Sequence, residues 1–226
     1  MTPTIGLAVL DMAGTTVSDN GVVDRAFRRA LDDVGGVGVD STVGDPGEFV
    51  RRTMGQSKIA VFTELFSGDV AKAGRANRAF EVAYDGAVDR GEVGALPGAA
   101  TTMAELREGG VKVCLTTGFA PSTRDRILDA LGWATAVDLS LSPSDAGRGR
   151  PWPDMILTAV LRLQIDDVHR VAVVGDTASD LLAGWRAGAG VVAGVLTGAH
   201  GRAELETAPH THILSGVADL SGLVLS

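Results

Sequence analysis

The chain has 226 residues, 45% of them hydrophobic, with a formal net charge of −8 and one cysteine. That length suits one large α/β domain or a core carrying a smaller insertion, and the apolar fraction excludes disordered and fibrous classes. The acidic balance without a Lys/Arg cluster argues against nucleic acid as a partner. It also means that a phosphate site would need local cations or a metal.

Cys114 lies inside the apolar run Val111–Leu115 and reads as a small hydrophobe, not half of a disulfide. The amino terminus shows no basic region followed by an apolar stretch, and no run approaches the roughly 18 apolar residues of a membrane span. A cytoplasmic protein with no membrane partner is expected.

The first element is an apolar strand, Ile5–Leu10, that ends on Asp11 and is broken by Gly14, Thr15 and Thr16. In open α/β sheets ligands sit at the carboxyl ends of strands, so Asp11 either faces a site or merely closes a turn. Val23, Phe27, Ala30, Leu31 and Val34 then recur at helical spacing until Gly35-Gly36. After a Gly- and Asp-rich loop to Gly47, Asp45-Pro46-Gly47-Glu48 reads as an N-cap and first turn. Gly55 is expected to split the next region into two helices, and a further helix fits Asp69 as cap with Ala73, Ala76, Phe80, Ala83 and Ala87 on one face.

From Leu96-Pro97-Gly98 onward helices and strands alternate. Helices fit Ala99–Glu108, Pro121–Leu131, Pro153–Leu163 and Ser179–Ala187; strands fit Val111–Leu115, Val137–Leu141, Val171–Val174, Val191–Leu196 and His212–Leu214. Such alternation predicts an α/β fold with a Rossmann-like parallel sheet. The all-helical stretch reads as a cap inserted after the first strand. The expected division is a core of residues 1–19 and 93–226 with a helical cap of residues 20–92.

Three further stretches could carry chemistry. Val171–Gly175 ends on Asp176, and Asp180 follows one helical turn later. Carboxylates gathered at one sheet edge repel unless a cation lies between them, and oxygen-only ligands suit Mg²⁺. Alternatively, Asp180 is a first-turn carboxylate answering the helix dipole. Val113–Leu115 leads into Thr116, Thr117 and Gly118, whose hydroxyls and N–H groups could hold phosphate oxygens or simply form a turn. The basic loop Gly147–Asp154 offers Arg150 as a clamp on a phosphoryl group, or as a solvated loop arginine. The four histidines form no helical metal pair, and His200 reads as a loop residue.

These stretches, in this order, resemble the haloacid dehalogenase superfamily, and the resemblance runs the length of the chain. Asp11-Met12-Ala13-Gly14-Thr15 and Gly149-Arg150-Pro151, together with Met54-Gly55-Gln56-Ser57-Lys58, are similar to the phosphonatase (phosphonoacetaldehyde hydrolase) family. The superfamily's usual proton-donating aspartate is replaced here by Ala13. That suits a carbon leaving group released as an enamine, which needs no carboxylic acid donor. The chain departs from the family at Phe119 (an aromatic hydroxyl there), at Val61 (a histidine there) and near Gly21 (no cysteine here), which is compatible with a related 2-oxo-phosphonate as substrate.

The resemblance implies a Mg²⁺-dependent hydrolase of a small phosphonate or phosphate. Asp11 is the expected nucleophile, and Asp11, the Ala13 carbonyl, Asp176 and Asp180 the expected metal site. Thr117 (or Thr116), Gly118 and Arg150 would hold the phosphoryl group, with Met54 and Ala13 against the substrate. Lys58 would form an imine under the cap, where burial favours the neutral amine, or would be a solvated surface lysine. A phosphatase of small phosphate monoesters and a non-catalytic phosphometabolite-binding protein are the alternatives. A homodimer could form through the cap.

Overall fold

The computed structural model describes residues 4–18, 20–35 and 45–225. The Gly36 stop and most of the loop before Gly47 lie outside the described residues. The strands are β1 (Leu7–Asp11), β2 (Val17–Ser18), β3 (Gly94–Ala95), β4 (Lys112–Thr116), β5 (Leu139–Leu141), β6 (Val171–Gly175), β7 (Val191–Val195) and β8 (His212–Leu214). The helices are α1 (Val22–Asp33), α2 (Pro46–Arg52), α3 (Lys58–Leu65), α4 (Val70–Asp89), α5 (Ala99–Glu108), α6 (Pro121–Leu131), α7 (Asp154–Arg162), α8 (Ala178–Ala187), α9 (Arg202–Leu205) and α10 (Leu220–Val224).

Six strands form one parallel sheet in the order β5-β4-β1-β6-β7-β8. β1 sits at its centre, with Asp11 in register with Thr116 of β4. Every residue of β1 and of β6 is buried, which is why both read as unbroken apolar runs and not as alternating strands. Successive side chains of β1 enter opposite layers. Leu7 and Val9 pack in a cluster with Met155, Ile156 and Ala159 of α7, whereas Ala8 and Leu10 join Met103 and Leu106 of α5. Each fully buried leucine contributes about 1.5–3 kcal/mol, so this central strand is held from both faces and its carboxyl end is fixed.

Between β2 and β3 the chain runs through α1 to α4, a helical insertion. The Asp45 carboxylate accepts the Glu48 N–H at 2.8 Å and that of Asp69 accepts the Lys72 N–H at 2.9 Å, so both predicted N-caps form. Gly55, at φ 80°, occupies the left-handed conformation between α2 and α3. The insertion packs around aromatic rings: Phe27 lies 4.8 Å from Phe62 and 5.0 Å from Phe80. Phe119, from the loop after β4, joins them at 4.5 Å from Tyr84 and 6.1 Å from Phe80. Insertion and sheet therefore share apolar packing.

The pairing of β2 with β3 was not predicted. Val17 faces Ala95 and Ser18 faces Gly94 in a short antiparallel ribbon where the chain leaves and re-enters the sheet layer. Strands this short leave no period in the sequence. Beside the ribbon Arg25 pairs with Glu92 at 2.6 Å, and the Asn20 side-chain amide donates to the Glu92 carbonyl at 3.1 Å. The short α9 and α10 were also missed, each too brief for a helical pattern. Among the described residues no helix is long and apolar enough to cross a membrane.

Candidate active site

A cavity of about 1010 Å³ opens at the carboxyl edge of the sheet, beneath the insertion. Asp11, Ala13, Met54, Lys58, Thr117, Gly118, Arg150 and Asp176 all line it. Eight of the nine residues expected at the site are thus brought together from five separate stretches of chain.

Asp11 is the last residue of β1 and is 4% exposed. Arg150 reaches it from the loop before α7, with one guanidinium nitrogen 2.7 Å from Asp11 Oδ1. The same nitrogen donates to the Gly55 carbonyl at 3.0 Å, Nε lies 2.7 Å from Asp180 Oδ1, and the remaining nitrogen donates to Thr116 Oγ1 at 2.7 Å. These bonds use four of the five N–H donors of a guanidinium. Arg150 therefore ties the nucleophile candidate, the α8 carboxylate, a β4 hydroxyl and the insertion into one knot. Burial would lower its pKa, but Asp11 and Asp180 outweigh that and raise it, so the group stays charged.

The carboxylates behave differently. Burial pushes Asp11 up to about 7; Arg150 offsets part of that and Asp180 adds to it. Asp176 is raised well above the ordinary carboxylate value by burial, then by the charges of Asp11 and Asp180. A Cβ on Gly14 would overlap the Asp176 carboxylate, as would one on Gly198, so both positions must be glycine for Asp176 to lie against the Ala13–Gly14 turn. The Ala199 N–H donates to Asp176 Oδ2 at 2.6 Å and fixes its orientation.

Two buried carboxylates beside a backbone turn, both unfavourable as anions, make a donor set suited to a small divalent cation. Among the described residues no three His, Cys, Asp or Glu side chains are grouped as a metal cluster. Any cation here would rest on Asp11, Asp176 and backbone or substrate oxygens. Asp180 does not line the cavity. It is the third residue of α8 and forms a capping box: its Oδ2 accepts the Thr177 N–H at 3.1 Å and the Thr177 hydroxyl, while its Oδ1 serves Arg150. The first-turn reading allowed by the sequence is the one observed, and the Thr177-x-x-Asp180 spacing was the signal for it.

The two threonines part company. Thr116 Oγ1 is held by Arg150 and lies inside β4, whereas Thr117 lines the cavity and its hydroxyl accepts the Phe119 N–H at 3.2 Å. Gly118 is packed so closely that a Cβ would overlap the Gln56 carbonyl of the insertion. Lys58, the first residue of α3, is 6% exposed and not the solvated side chain that position alone would suggest. Its N–H donates to the Gly118 carbonyl at 3.3 Å, and its Nζ lies 5.7 Å from the Phe27 ring and 5.5 Å from the Phe119 ring. Phe27, Arg51 and the Thr197–Ala199 loop also line the cavity and were not singled out from the sequence.

A haloacid dehalogenase-like hydrolase family model matches residues 5–188, and the chain belongs to that family. It is a hydrolase with the parallel-sheet architecture of that family. A phosphonoacetaldehyde hydrolase from Pseudomonas fluorescens is 34% identical over 104 residues, a match that spans 46% of this chain and 38% of that relative. Among solved structures, a phosphonoacetaldehyde hydrolase like protein from Oleispira antarctica superposes with a TM-score of 0.81 at 21% identity, over 99% of this chain and 92% of that one. A predicted phosphoglycolate phosphatase from Haemophilus somnus does so with a TM-score of 0.80 at 17% identity, over 99% of each chain. At such identities the two structures speak for the fold alone.

Proposed function

We propose that the chain hydrolyses the carbon–phosphorus bond of a small 2-oxo-phosphonate such as phosphonoacetaldehyde, with residues 20–92 acting as a cap over the core of residues 1–19 and 93–226. The observation that carries this reading is a buried lysine, Lys58, facing the same cavity as Asp11 while Ala13 stands where a proton donor would be needed for an ester.

The unprotonated Lys58 amine adds to the substrate carbonyl, and the adduct takes up a proton from solvent and loses water to give an iminium ion. Asp11 Oδ then attacks phosphorus in line with the P–C bond. As that bond breaks, its electron pair moves onto carbon and is taken up by the iminium nitrogen, leaving an enamine and an aspartyl-phosphate. Protonation of the enamine carbon and hydrolysis of the imine free the aldehyde and Lys58; water cleaves the acyl phosphate and restores Asp11. Arg150 keeps Asp11 aimed and favours its anion against the effect of burial, and Thr117 with the backbone at Gly118 orients phosphoryl oxygens. Asp11, the Ala13 carbonyl and Asp176 would hold Mg²⁺, with Asp180 supporting through Arg150 and Thr177. When bound, Mg²⁺ neutralises the carboxylates and polarises the phosphoryl oxygens.

A second reading is hydrolysis of a small phosphate monoester at the same Asp11, since Asp11, Thr117 and Arg150 line the cavity and would serve a phosphate ester equally. A phosphate-release screen over 2-oxo-phosphonates and phosphate esters, with Mg²⁺ and with chelator, separates the two. Borohydride added with phosphonoacetaldehyde should trap a covalent adduct on Lys58. Turnover of the phosphonate that survives Lys58→Ala would sink the imine step.

A further inference from the structure

Several buried ionisable side chains take no part in that chemistry, among them Cys114, Arg124 and His200. His200, in the loop after β7, is 7% exposed, and it is the one buried histidine among the described residues. Its Nδ1 lies 3.1 Å from the Ala178 N–H at the start of α8. A backbone N–H can only donate, so Nδ1 is the acceptor and the ring proton sits on Nε2. That Nε2 lies 3.4 Å from the carbonyl oxygen of Arg51, near the end of α2 in the helical insertion.

The Arg51 carbonyl already closes the turn to the Met54 N–H at 3.3 Å. His200 thus grips the turn that delivers Met54 and Gly55 to the cavity, and the Gly55 carbonyl is in turn held by Arg150. On its other side His200 belongs to the loop that sets Asp176: its own N–H donates to the Asp176 carbonyl at 3.3 Å, and its neighbour Ala199 donates to the Asp176 carboxylate. One imidazole in one tautomer spans the two bodies that must meet to close the cavity.

We propose that His200 is a positioning residue that latches the insertion onto the core by donating its Nε2 proton to Arg51, with Ala178 fixing the tautomer that makes this possible. The latch needs both ring nitrogens, so the two halves can be removed separately. Asparagine places an acceptor near the Nδ1 position but does not reach Arg51; glutamine places an N–H donor near the Nε2 position.

The test is amide hydrogen exchange on the full chain without substrate, for wild type and for His200→Asn, His200→Gln and His200→Ala. Loss of one hydrogen bond should speed exchange across residues 49–56 about threefold to tenfold in the Asn and Ala variants, leave the Gln variant near wild type, and leave β1 and β4 unchanged. If the Ala variant fails to fold, the Asn variant carries the test. Wild-type protection of residues 49–56 in His200→Asn would overturn the proposal. So would equal loss of protection in all three variants, which would make His200 a general packing residue. In a phosphate-release assay the Asn variant should raise KM more than it lowers kcat. The exchange result does not depend on which substrate is turned over, so failure of the latch and failure of the proposed activity are distinguishable.

Discussion

Arg150 and Asp11 form an ion pair at 2.7 Å with side chains 4% and 6% exposed, and the same guanidinium is shared with Asp180. One cation balances two buried carboxylates, and no other Lys or Arg side chain among the described residues pairs with either. Arg150→Met should therefore cost about 3–5 kcal/mol, the usual penalty for stripping a buried charge of its partner. Arg150→Lys should fall between it and wild type, because an ammonium lacks the fork that reaches Thr116 and Gly55 as well. Chemical denaturation of the three proteins measures this. A lysine variant as stable as wild type would show that the fork contributes nothing.

Asp11 gives a pH dependence whose sign is opposite to that of an ordinary salt-bridged carboxylate. Its pKa rises from 3.8 to about 7 on folding, chiefly through burial. The folded chain holds a proton that the unfolded chain has released, so metal-free stability should fall as pH rises from about 4 to about 7. A divalent cation at Asp11 and Asp176 replaces that proton and competes with it. Melting in chelator should show the decline, and Mg²⁺ should raise Tm more at about pH 8 than at about pH 5. An equal increment at both pH values would argue against a cation on these carboxylates.

Gly118→Ala places a methyl group against the Gln56 carbonyl, and neither partner is a flexible side chain. Overpacking of this kind costs about 1–3 kcal/mol, and here it falls on the contact between insertion and core. The core should keep its stability while KM rises roughly tenfold. Steady-state kinetics with a matched urea melt checks it; unchanged KM would show that residues 55–57 need not seat against Gly118.

Ala13→Asp restores a proton donor two residues beyond Asp11. Hydrolysis of phosphate monoesters should gain roughly tenfold or more, since positioned general acids contribute about 10²–10⁴ in rate, while phosphonate cleavage should fall or stay level. Parallel assays on the two substrate classes decide it. A gain on the phosphonate instead would contradict release of carbon as an enamine.

The sheet was legible because its strands are buried on both faces and stand out as apolar runs between helices; β1 through Asp11 and β6 before Asp176 are the plainest cases. Asp45 and Asp69 were legible as caps for an equally local reason, a side chain meeting an N–H three residues on. Bonds between distant stretches were not. Nothing in Gly149-Arg150-Pro151 says that the guanidinium will take the Gly55 carbonyl 95 residues away, and His200 in a Gly-rich loop carries no period that would reveal its burial. Asp180 was ambiguous because one first-turn carboxylate can serve a metal, a cap or an arginine, and only its neighbours decide.

The ribbon of β2 and β3 fixes where the insertion is attached. Val17 and Ala95 stand opposite each other in the ribbon, so the helices between them enter and leave the sheet layer at a single point, with Arg25 and Glu92 bridging the two strands of chain there. Both connections to the four helices therefore lie side by side in this ribbon. The arrangement also makes the segment a cassette: a two-residue turn joining Val17 to Ala95 would close the core without disturbing the order of its strands, and another family member's helices could be spliced in at the same two residues.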